Sequence, residues 1–326
     1  MTGAVVRIRE LSVCYRTRDS TVHAVDDVSL DLERGSVLAL VGESGSGKST
    51  VGLSVLRLLP QHAEITAGSI WFGDEDMAEA RDETLRRIRG RQMSMVFQDP
   101  IAGLNPVLTI GDQVAETLIN HLALGKKEAK RQAVEILTNV GLADPERLAK
   151  AYPFQLSGGM CQRVMIGIAT ALNPDVLIAD EPTSSLDVTV QAQILHQLGL
   201  LAREKGTAIL LITHNFGVVA HLADKVAVMY GGRIVERGSV DEILKRPLHP
   251  YSFALLSTLP RLDGSGGPLR SIPGSPPEMT EAADRCPFIP RCNKALTVCR
   301  ESPAPALERA NEVGQEVACY NPVWQG

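Results

Sequence analysis

Apolar and polar side chains follow one another with a period of about two along the first thirty-three residues. The apolar positions of this segment are Val6, Ile8, Leu11, Val13, Tyr15, Val22, Ala24, Val28, Leu30 and Leu32. This period is typical of strands that bury one face. We therefore predict two strands, joined by a turn over the polar residues 16–20.

Four later runs are continuously apolar: residues 37–41, 176–179, 208–212 and 226–229. Such runs are typical of strands that are buried on both faces of a parallel sheet. Segments with helical spacing separate the runs, and this alternation favours an α/β fold with a parallel core.

Helical spacing also appears in longer segments. Residues 50–59 predict a helix that ends before Pro60, and residues 111–124 and 126–140 predict two amphipathic helices. Together with a further helix over 160–172, the two amphipathic helices indicate a helical insertion of about residues 98–172. We expect a boundary near residue 259, which divides a domain of residues 1–258 from an extension of residues 259–326 with linker-like segments at 264–268 and 272–277.

Composition narrows the class of protein. The chain has 326 residues, of which 44% are hydrophobic and 22% charged, so we expect an ordinary globular protein. The net charge of −5 argues against a nucleic-acid partner, which usually requires a basic face. No apolar run is long enough to span a membrane, and the first ten residues lack an apolar signal core. We therefore expect a cytoplasmic location.

Residues 42–49 read Gly-Glu-Ser-Gly-Ser-Gly-Lys-Ser and fit the phosphate-loop pattern G-x-x-x-x-G-K-[ST]. Glycines allow the backbone to wrap around an anion, and the following helix N-terminus favours negative charge. Lys48 supplies a cation for the outer phosphates, and Ser49 a hydroxyl for Mg²⁺. A glycine-rich turn without a ligand is the alternative, but the preceding strand and following helix favour a nucleoside-triphosphate site.

Asp180 and Glu181 follow the buried run at 176–179. Adjacent acids at a strand end are common on solvated surfaces. In a chain with a phosphate loop, however, Asp180 is suited to the Mg²⁺ shell and Glu181 to polarising the attacking water as general base. Ligands of open α/β sheets bind beyond the carboxyl ends of strands, which is where these acids are expected.

Residues 156–163, Leu-Ser-Gly-Gly-Met-Cys-Gln-Arg, resemble the signature motif of ATP-binding-cassette (ABC) ATPases. Four further markers occur in the order of that family: Tyr15, Gln98 of the Q-loop, Asp187 of the D-loop and the switch residue His214. The resemblance covers about residues 5–258. It implies a RecA-like P-loop NTPase core with an antiparallel β subdomain and a helical signature subdomain, followed here by a small cysteine-rich extension.

The resemblance also implies residue roles. Glu181, His214 and Gln98 are expected to be catalytic, and Ser49, Gln98 and Asp180 to hold Mg²⁺. The residues expected to bind ATP are Tyr15, Gly42, Ser44, Gly45, Ser46, Gly47, Lys48, Ser49, Thr50, Ser157, Gly158, Gly159 and Asp187. In the family, the signature contacts the γ-phosphate of the opposite subunit, so two subunits sandwich two ATP molecules. Cys161 and Asn215 depart from the residue types usual in the family.

Residues 179–193, 249–256 and 286–292 resemble the ATP-binding subunits of dipeptide and oligopeptide importers. That branch implies a second ABC ATPase (a paralogue or a second copy), two transmembrane permeases and an extracytoplasmic solute-binding protein. It places the chain at the cytoplasmic face of the inner membrane. Nickel, opine or oligosaccharide importers of the same family are alternatives. A soluble ABC ATPase, a regulatory subunit and an exporter are less favoured.

Four of the six cysteines, Cys286, Cys292, Cys299 and Cys319, lie in the last forty-one residues. In a reducing compartment such a cluster favours metal ligation over disulfides. Four thiolates suit either Zn²⁺ or an iron–sulfur cluster. The spacing lacks the C-x2-C pairs of common zinc sites, and the matching tail of peptide-importer ATPases implies a [4Fe–4S] cluster. Zinc, unliganded thiols and a disulfide stay open as alternatives, and Cys14 is interpreted as strand packing.

Overall fold

A computed structural model describes residues 3–18, 20–259, 271–280, 284–312 and 314–323. Its strands are β1 (Ala4–Arg16), β2 (Thr21–Glu33), β3 (Val37–Val41), β4 (Ala63–Phe72), β5 (Glu75–Asp76), β6 (Met93–Val96), β7 (Val176–Asp180), β8 (Ala208–Ile212), β9 (Lys225–Tyr230), β10 (Arg233–Ser239), β11 (Glu308–Arg309) and β12 (Glu316–Val317).

The helices are α1 (Lys48–Val55), α2 (Asp82–Ile88), α3 (Ile110–Leu122), α4 (Lys126–Asn139), α5 (Pro145–Leu148), α6 (Gly158–Thr170), α7 (Val188–Lys205), α8 (Phe216–Leu222), α9 (Val240–Lys245), α10 (Pro250–Ser257) and α11 (Thr297–Glu301). Among the described residues, no helix is both long and apolar enough to cross a bilayer.

The chain divides into two compact units. We call Met1–Val5, Leu32–Val37 and Glu79–Ile212 the carboxylate unit, because it contains Asp180 and Glu181. The loop unit, which contains the phosphate loop, comprises Val6–Asp31, Leu38–Ala78 and Thr213–Gly326.

In the carboxylate unit, β6, β7 and β8 are parallel, with β7 between the other two. Every residue of these three strands is buried, as expected for apolar strands covered on both faces. Helix α3 packs on α4, and both pack on α6. These helices lie within residues 98–172, where the helical insertion was predicted, and α3 and α4 end within two residues of their predicted ends.

The loop unit contains an antiparallel sheet with strand order β2, β1, β4, β5. Beside it in the same unit, β3 pairs in parallel with β9, β9 in antiparallel fashion with β10, and β10 with β12 of the C-terminal extension. Between β1 and β2, where a turn over residues 16–20 was predicted, the Thr17 N–H donates to Ser20 O at 2.9 Å; residue 19 lies outside the described residues.

Three predictions differ from the structure. Helix α1 ends at Val55, not at residue 59, because Arg57 adopts a left-handed conformation with φ of 51°. Helix α6 covers residues 158–170 where 160–172 was predicted. Strands β4, β5, β6, β10, β11 and β12 were not predicted. The boundary residue Pro260 and the segment 264–268 lie outside the described residues, and the proposed domain division stays a prediction.

Candidate functional site

The phosphate loop joins β3 to α1 in the loop unit. Gly47 is the N-cap of α1 with φ of 101°, and a Cβ atom there would lie 2.1 Å from Ala24 O. At Gly42 a Cβ atom would lie 2.2 Å from Met229 O. Only glycine tolerates either position, since a side chain would collide with fixed backbone. The two glycines therefore allow the loop to lie directly against β9 and β2.

Lys48 is only 8% exposed, and its side chain folds back over the loop. Its Nζ donates to Gly42 O at 2.9 Å, to Glu43 O at 2.7 Å and to Ser46 Oγ at 3.2 Å. The ammonium group thus lies inside the curve of the loop backbone, next to the N-terminus of α1. A phosphate in this curve would meet both a positive charge and backbone N–H donors.

Two further predicted residues of the loop unit lie close to this loop. The Tyr15 hydroxyl is 3.2 Å from Thr50 Oγ1 at the start of α1, and the Tyr15 ring lies 5.6 Å from the ring of His62. The Thr213 N–H donates to Leu40 O at 3.2 Å, which places the exposed His214 beside the strand that leads into the loop. The structure thus gathers Tyr15, His214 and the loop in one unit.

In the carboxylate unit, Asp180 ends β7, and Glu181 follows it with φ of 47°. The Glu181 N–H donates to Ile212 O at 2.9 Å, which fixes this turn to the end of β8. Val96 of the neighbouring β6 pairs with Ala179, so Gln98 emerges at the same edge of the sheet. The carboxylate unit thus places Gln98, Asp180 and Glu181, three of the residues predicted to act on magnesium or water, at one edge of its sheet.

The signature and the D-loop also meet in this unit. Ser157 caps the thirteen-residue helix α6, and its Oγ accepts the Met160 N–H at 3.3 Å. Asp187 caps α7 by accepting the N–H groups of Thr189 and Val190. Ser185 Oγ is 3.3 Å from Gln162 Oε1, and a Cβ atom on Gly159 would lie 3.0 Å from Ser185 O. This spacing connects the two motifs directly.

The two residues that depart from the family pattern have structural roles. Cys161 is fully buried, its Sγ lies 3.6 Å from Pro153 O, and burial raises the pKa of its thiol. Asn215 caps α8, because its Oδ1 accepts the N–H groups of Gly217 and Val218 at 2.9 and 3.4 Å. An amide oxygen therefore performs the capping that an acid could also perform.

The four C-terminal cysteines line one narrow cavity of about 20 Å³, together with His249 and Phe288. Burial raises the pKa of the Cys286, Cys292 and Cys319 thiols, to about 11 for Cys319, and neighbouring cysteine charges add to this effect. In the described part of the chain, no three His, Cys, Asp or Glu side chains are arranged to hold a metal ion. Four thiols are a donor set that suits a metal group, and they line one cavity, but their positions are not those of a formed metal site.

Three residues that support the loop were missed from the sequence. The Glu43 carboxylate pairs with Arg291, and the Glu43 N–H donates to Tyr251 Oη. Tyr230 also contacts Arg291. Tyr251 and Arg291 lie in the segments 249–256 and 286–292 that resemble importer subunits, but that resemblance gives no indication that Arg291 has a partner 248 residues away. Cys14, interpreted as strand packing, is buried but also lies 3.3 Å from His23 Nδ1.

Two family models match parts of the chain. Residues 25–184 match the family model described as ABC transporter. Residues 235–299 match the model described as the C-terminal region of oligopeptide/dipeptide transporters.

Among curated proteins, the chain is 46% identical to the dipeptide transport ATP-binding protein DppD of Bacillus subtilis, over 90% of this chain and 88% of that protein. It is 43% identical to the oligopeptide transport ATP-binding protein OppD of Salmonella typhimurium, over 98% and 95%. A solved dimeric structure of the ATP-binding cassette MJ0796 with ADP and Pi matches with a TM-score of 0.66 and 29% identity, over 72% of this chain and 98% of that one.

Proposed function

The chain belongs to the ATP-binding subunits of ABC dipeptide and oligopeptide importers, and from this premise we propose how its residues serve peptide uptake. As an ABC ATPase it hydrolyses ATP with Mg²⁺. The observation that carries the proposal is the loop of residues 42–49, which holds Lys48 inside its curve at the N-terminus of α1. The similarity to importer subunits disfavours the soluble, regulatory and exporter alternatives.

ATP binds to the loop unit through the phosphate loop. In the proposed assignment, Tyr15 stacks on adenine, the amides of residues 42–50 and Lys48 bind the phosphates, and Ser49 contributes a hydroxyl to Mg²⁺. Asp180 and Gln98 complete the Mg²⁺ shell. Glu181 accepts a proton from the attacking water, and His214 contacts the γ-phosphate.

Enclosing ATP between two subunits requires a second ABC ATPase subunit, either a paralogue or a second copy of this chain. We assign the partly exposed N-terminus of α6, with Ser157, Gly158 and Gly159, to the γ-phosphate bound by that partner, because backbone N–H groups at a helix N-terminus favour an anion. Asp187, which caps α7 beside this signature, lies at the same seam.

The proposed complex also contains two transmembrane permeases and an extracytoplasmic solute-binding protein, with this subunit bound peripherally at the cytoplasmic face of the inner membrane. The test is uptake of a labelled dipeptide and a labelled oligopeptide by vesicles that contain the assembled complex. We expect uptake that requires ATP and the binding protein and is lost with Glu181→Gln. Uptake of Ni²⁺ without uptake of either peptide would instead support the nickel-importer alternative.

Cys286, Cys292, Cys299 and Cys319 are proposed to hold a [4Fe–4S] cluster. Their shared cavity supports this assignment, and binding requires the thiols to lose their protons. When bound, such a cluster cross-links the segments that carry the four cysteines.

Anaerobic purification of the full chain, followed by iron, sulfide and zinc analysis, tests the cluster. We expect about four iron and four sulfide per chain, the content of one such cluster. Cys299→Ser should lose them, whereas Cys14→Ser, a cysteine of β1 outside the cavity, should keep them. One zinc per chain would support the zinc alternative, and a metal-free preparation would contradict both metal assignments.

A further inference from the structure

Arg291 of the C-terminal extension lies beneath the phosphate loop, and its side chain is only 4% exposed. Its Nη1 and Nη2 donate to the two carboxylate oxygens of Glu43, at 2.6 and 3.0 Å. Nη1 also donates to Tyr230 Oη at 3.2 Å, while Nε and Nη2 donate to the carbonyls of Pro273 and Ile272. All five N–H donors of the guanidinium are therefore used.

Glu43 is the second residue of the phosphate loop, and it is held at three points. Its carboxylate binds Arg291, its N–H donates to Tyr251 Oη at 2.8 Å, and its carbonyl accepts from Lys48 Nζ at 2.7 Å. Tyr230 and Tyr251 are buried, with ring centroids 4.4 Å apart. The contacts of Glu43 thus connect the loop lysine to a buried group from the extension.

The segment between Cys286 and Cys292 packs against the same tyrosines. Phe288 is buried, and its ring centroid lies 5.1 Å from that of Tyr230 and 5.4 Å from that of Tyr251. Arg291 ends a short 3-10 turn, Ile289–Arg291, directly before Cys292. The position of the guanidinium is therefore set by the fold of the cysteine-rich extension.

We propose that Arg291 is a positioning residue for the phosphate loop. By holding Glu43, Arg291 keeps the loop in a shape that accepts phosphate before ATP binds. A bidentate pair in a partly desolvated site has a defined geometry, and removal of one partner leaves the other charge without compensation. Preorganised donors increase affinity because less ordering is required on binding. The inference rests on the proposed function, since it assumes that the loop binds ATP.

The test compares ATP binding by the full-length chain, measured by calorimetry, with the steady-state kinetics of the assembled importer. Arg291→Ala is expected to raise the ATP dissociation constant about tenfold, which is about 1.4 kcal/mol, and to raise KM with little change in kcat. Arg291→Lys should recover only part of the affinity, because an ammonium cannot form the bidentate pair. Iron content is measured for every variant.

Glu43→Gln removes the negative charge of the other member of the pair and leaves the extension intact. We expect it to weaken ATP binding with unchanged iron content, and the double variant with Arg291→Ala to be no weaker than the worse single variant. Arg237→Ala is the matched control: Arg237 pairs with Glu316 of β12 at 2.5 Å and also anchors the extension, but through β10 rather than the loop. It should bind ATP as the unaltered chain does.

Three results would overturn the proposal: unchanged ATP affinity in Arg291→Ala, additive effects in the double variant, or an equal loss of affinity in Arg237→Ala. Lys48→Ala separates these from failure of the proposed function. If Lys48→Ala binds ATP normally, the loop is not the ATP site and both conclusions are wrong. If only Lys48→Ala loses affinity, the site stands and the role of Arg291 is refuted.

Discussion

The carboxylate unit and the loop unit support their functional residues in different ways. In the carboxylate unit these residues sit at the ends of local elements: Asp180 ends a strand, and Ser157 and Asp187 cap the helices that follow them. In the loop unit, the phosphate loop is held from a distance, by Tyr251 and Arg291, 208 and 248 residues from Glu43. A functional residue can therefore be placed by the strand or helix next to it in the sequence, as in the carboxylate unit, or held by residues that are distant in the sequence, as in the loop unit.

The strongest test of this comparison separates turnover from binding. Glu181→Gln keeps the size of the side chain but removes the proposed base. We expect kcat to fall by about 10²–10⁴-fold, the usual contribution of a general base, while ATP stays bound. Single-turnover hydrolysis and calorimetry on the same preparation measure the two effects. An unchanged kcat in the assembled complex would exclude Glu181 as the base.

Lys48→Ala should give the opposite result in the loop unit. Loss of a cation that binds phosphate costs about 1.5–3 kcal/mol, so ATP affinity should fall roughly 10- to 150-fold. Calorimetry with ATP and Mg²⁺ measures the change. The matched control is Lys245→Ala, an exposed lysine of α9 that pairs only with Asp241 in the contacts described for it. A loss of kcat without loss of affinity would contradict the division of roles between the units.

The difference between the units also explains how much the sequence could predict. The apolar runs at β3, β7, β8 and β9 predicted buried strands correctly, because they are covered on both faces. Strand β4 was missed because most of its residues are not buried, so its pattern carries little periodicity. The contact between Arg291 and Glu43 could not be predicted, since nothing in the segments that contain the two residues indicates that the fold brings them together.

Two polar residues at the starts of helices, the N-cap Asn215 of α8 and Asp112 in the first turn of α3, sharpen the comparison at a smaller scale. Asn215 caps α8 in the loop unit with a neutral side chain. Asn215→Ala should lower the free energy of unfolding by about 1 kcal/mol, whereas Asn215→Asp should change it by a few tenths at most, because both Asn and Asp are good caps. Urea unfolding measures both. Equal destabilisation by the two substitutions would show that capping is not the role of Asn215.

Asp112 provides the charged counterpart in the carboxylate unit. Near the start of α3 its carboxylate accepts from Thr109 Oγ1 at 2.7 Å and pairs with Lys130 of α4 at 2.8 Å, and these contacts, Lys130 first, lower its pKa below the usual value of 3.8. A lowered pKa in the folded state stabilises the protein above the ordinary pKa, and this stabilisation disappears as the pH falls through the folded value.

Asp112→Asn should therefore cost about 0.5 kcal/mol at pH 7, as is usual for exposed pairs, and the deficit should narrow below pH 3.8. Urea unfolding midpoints of the unaltered chain and of Asp112→Asn, at pH 7 and below pH 3.8, measure how the deficit in the free energy of unfolding changes. The Asn215 side chain does not titrate, so a deficit with the same pH dependence in Asn215→Ala would mean that charge at the start of the helix does not distinguish the two units.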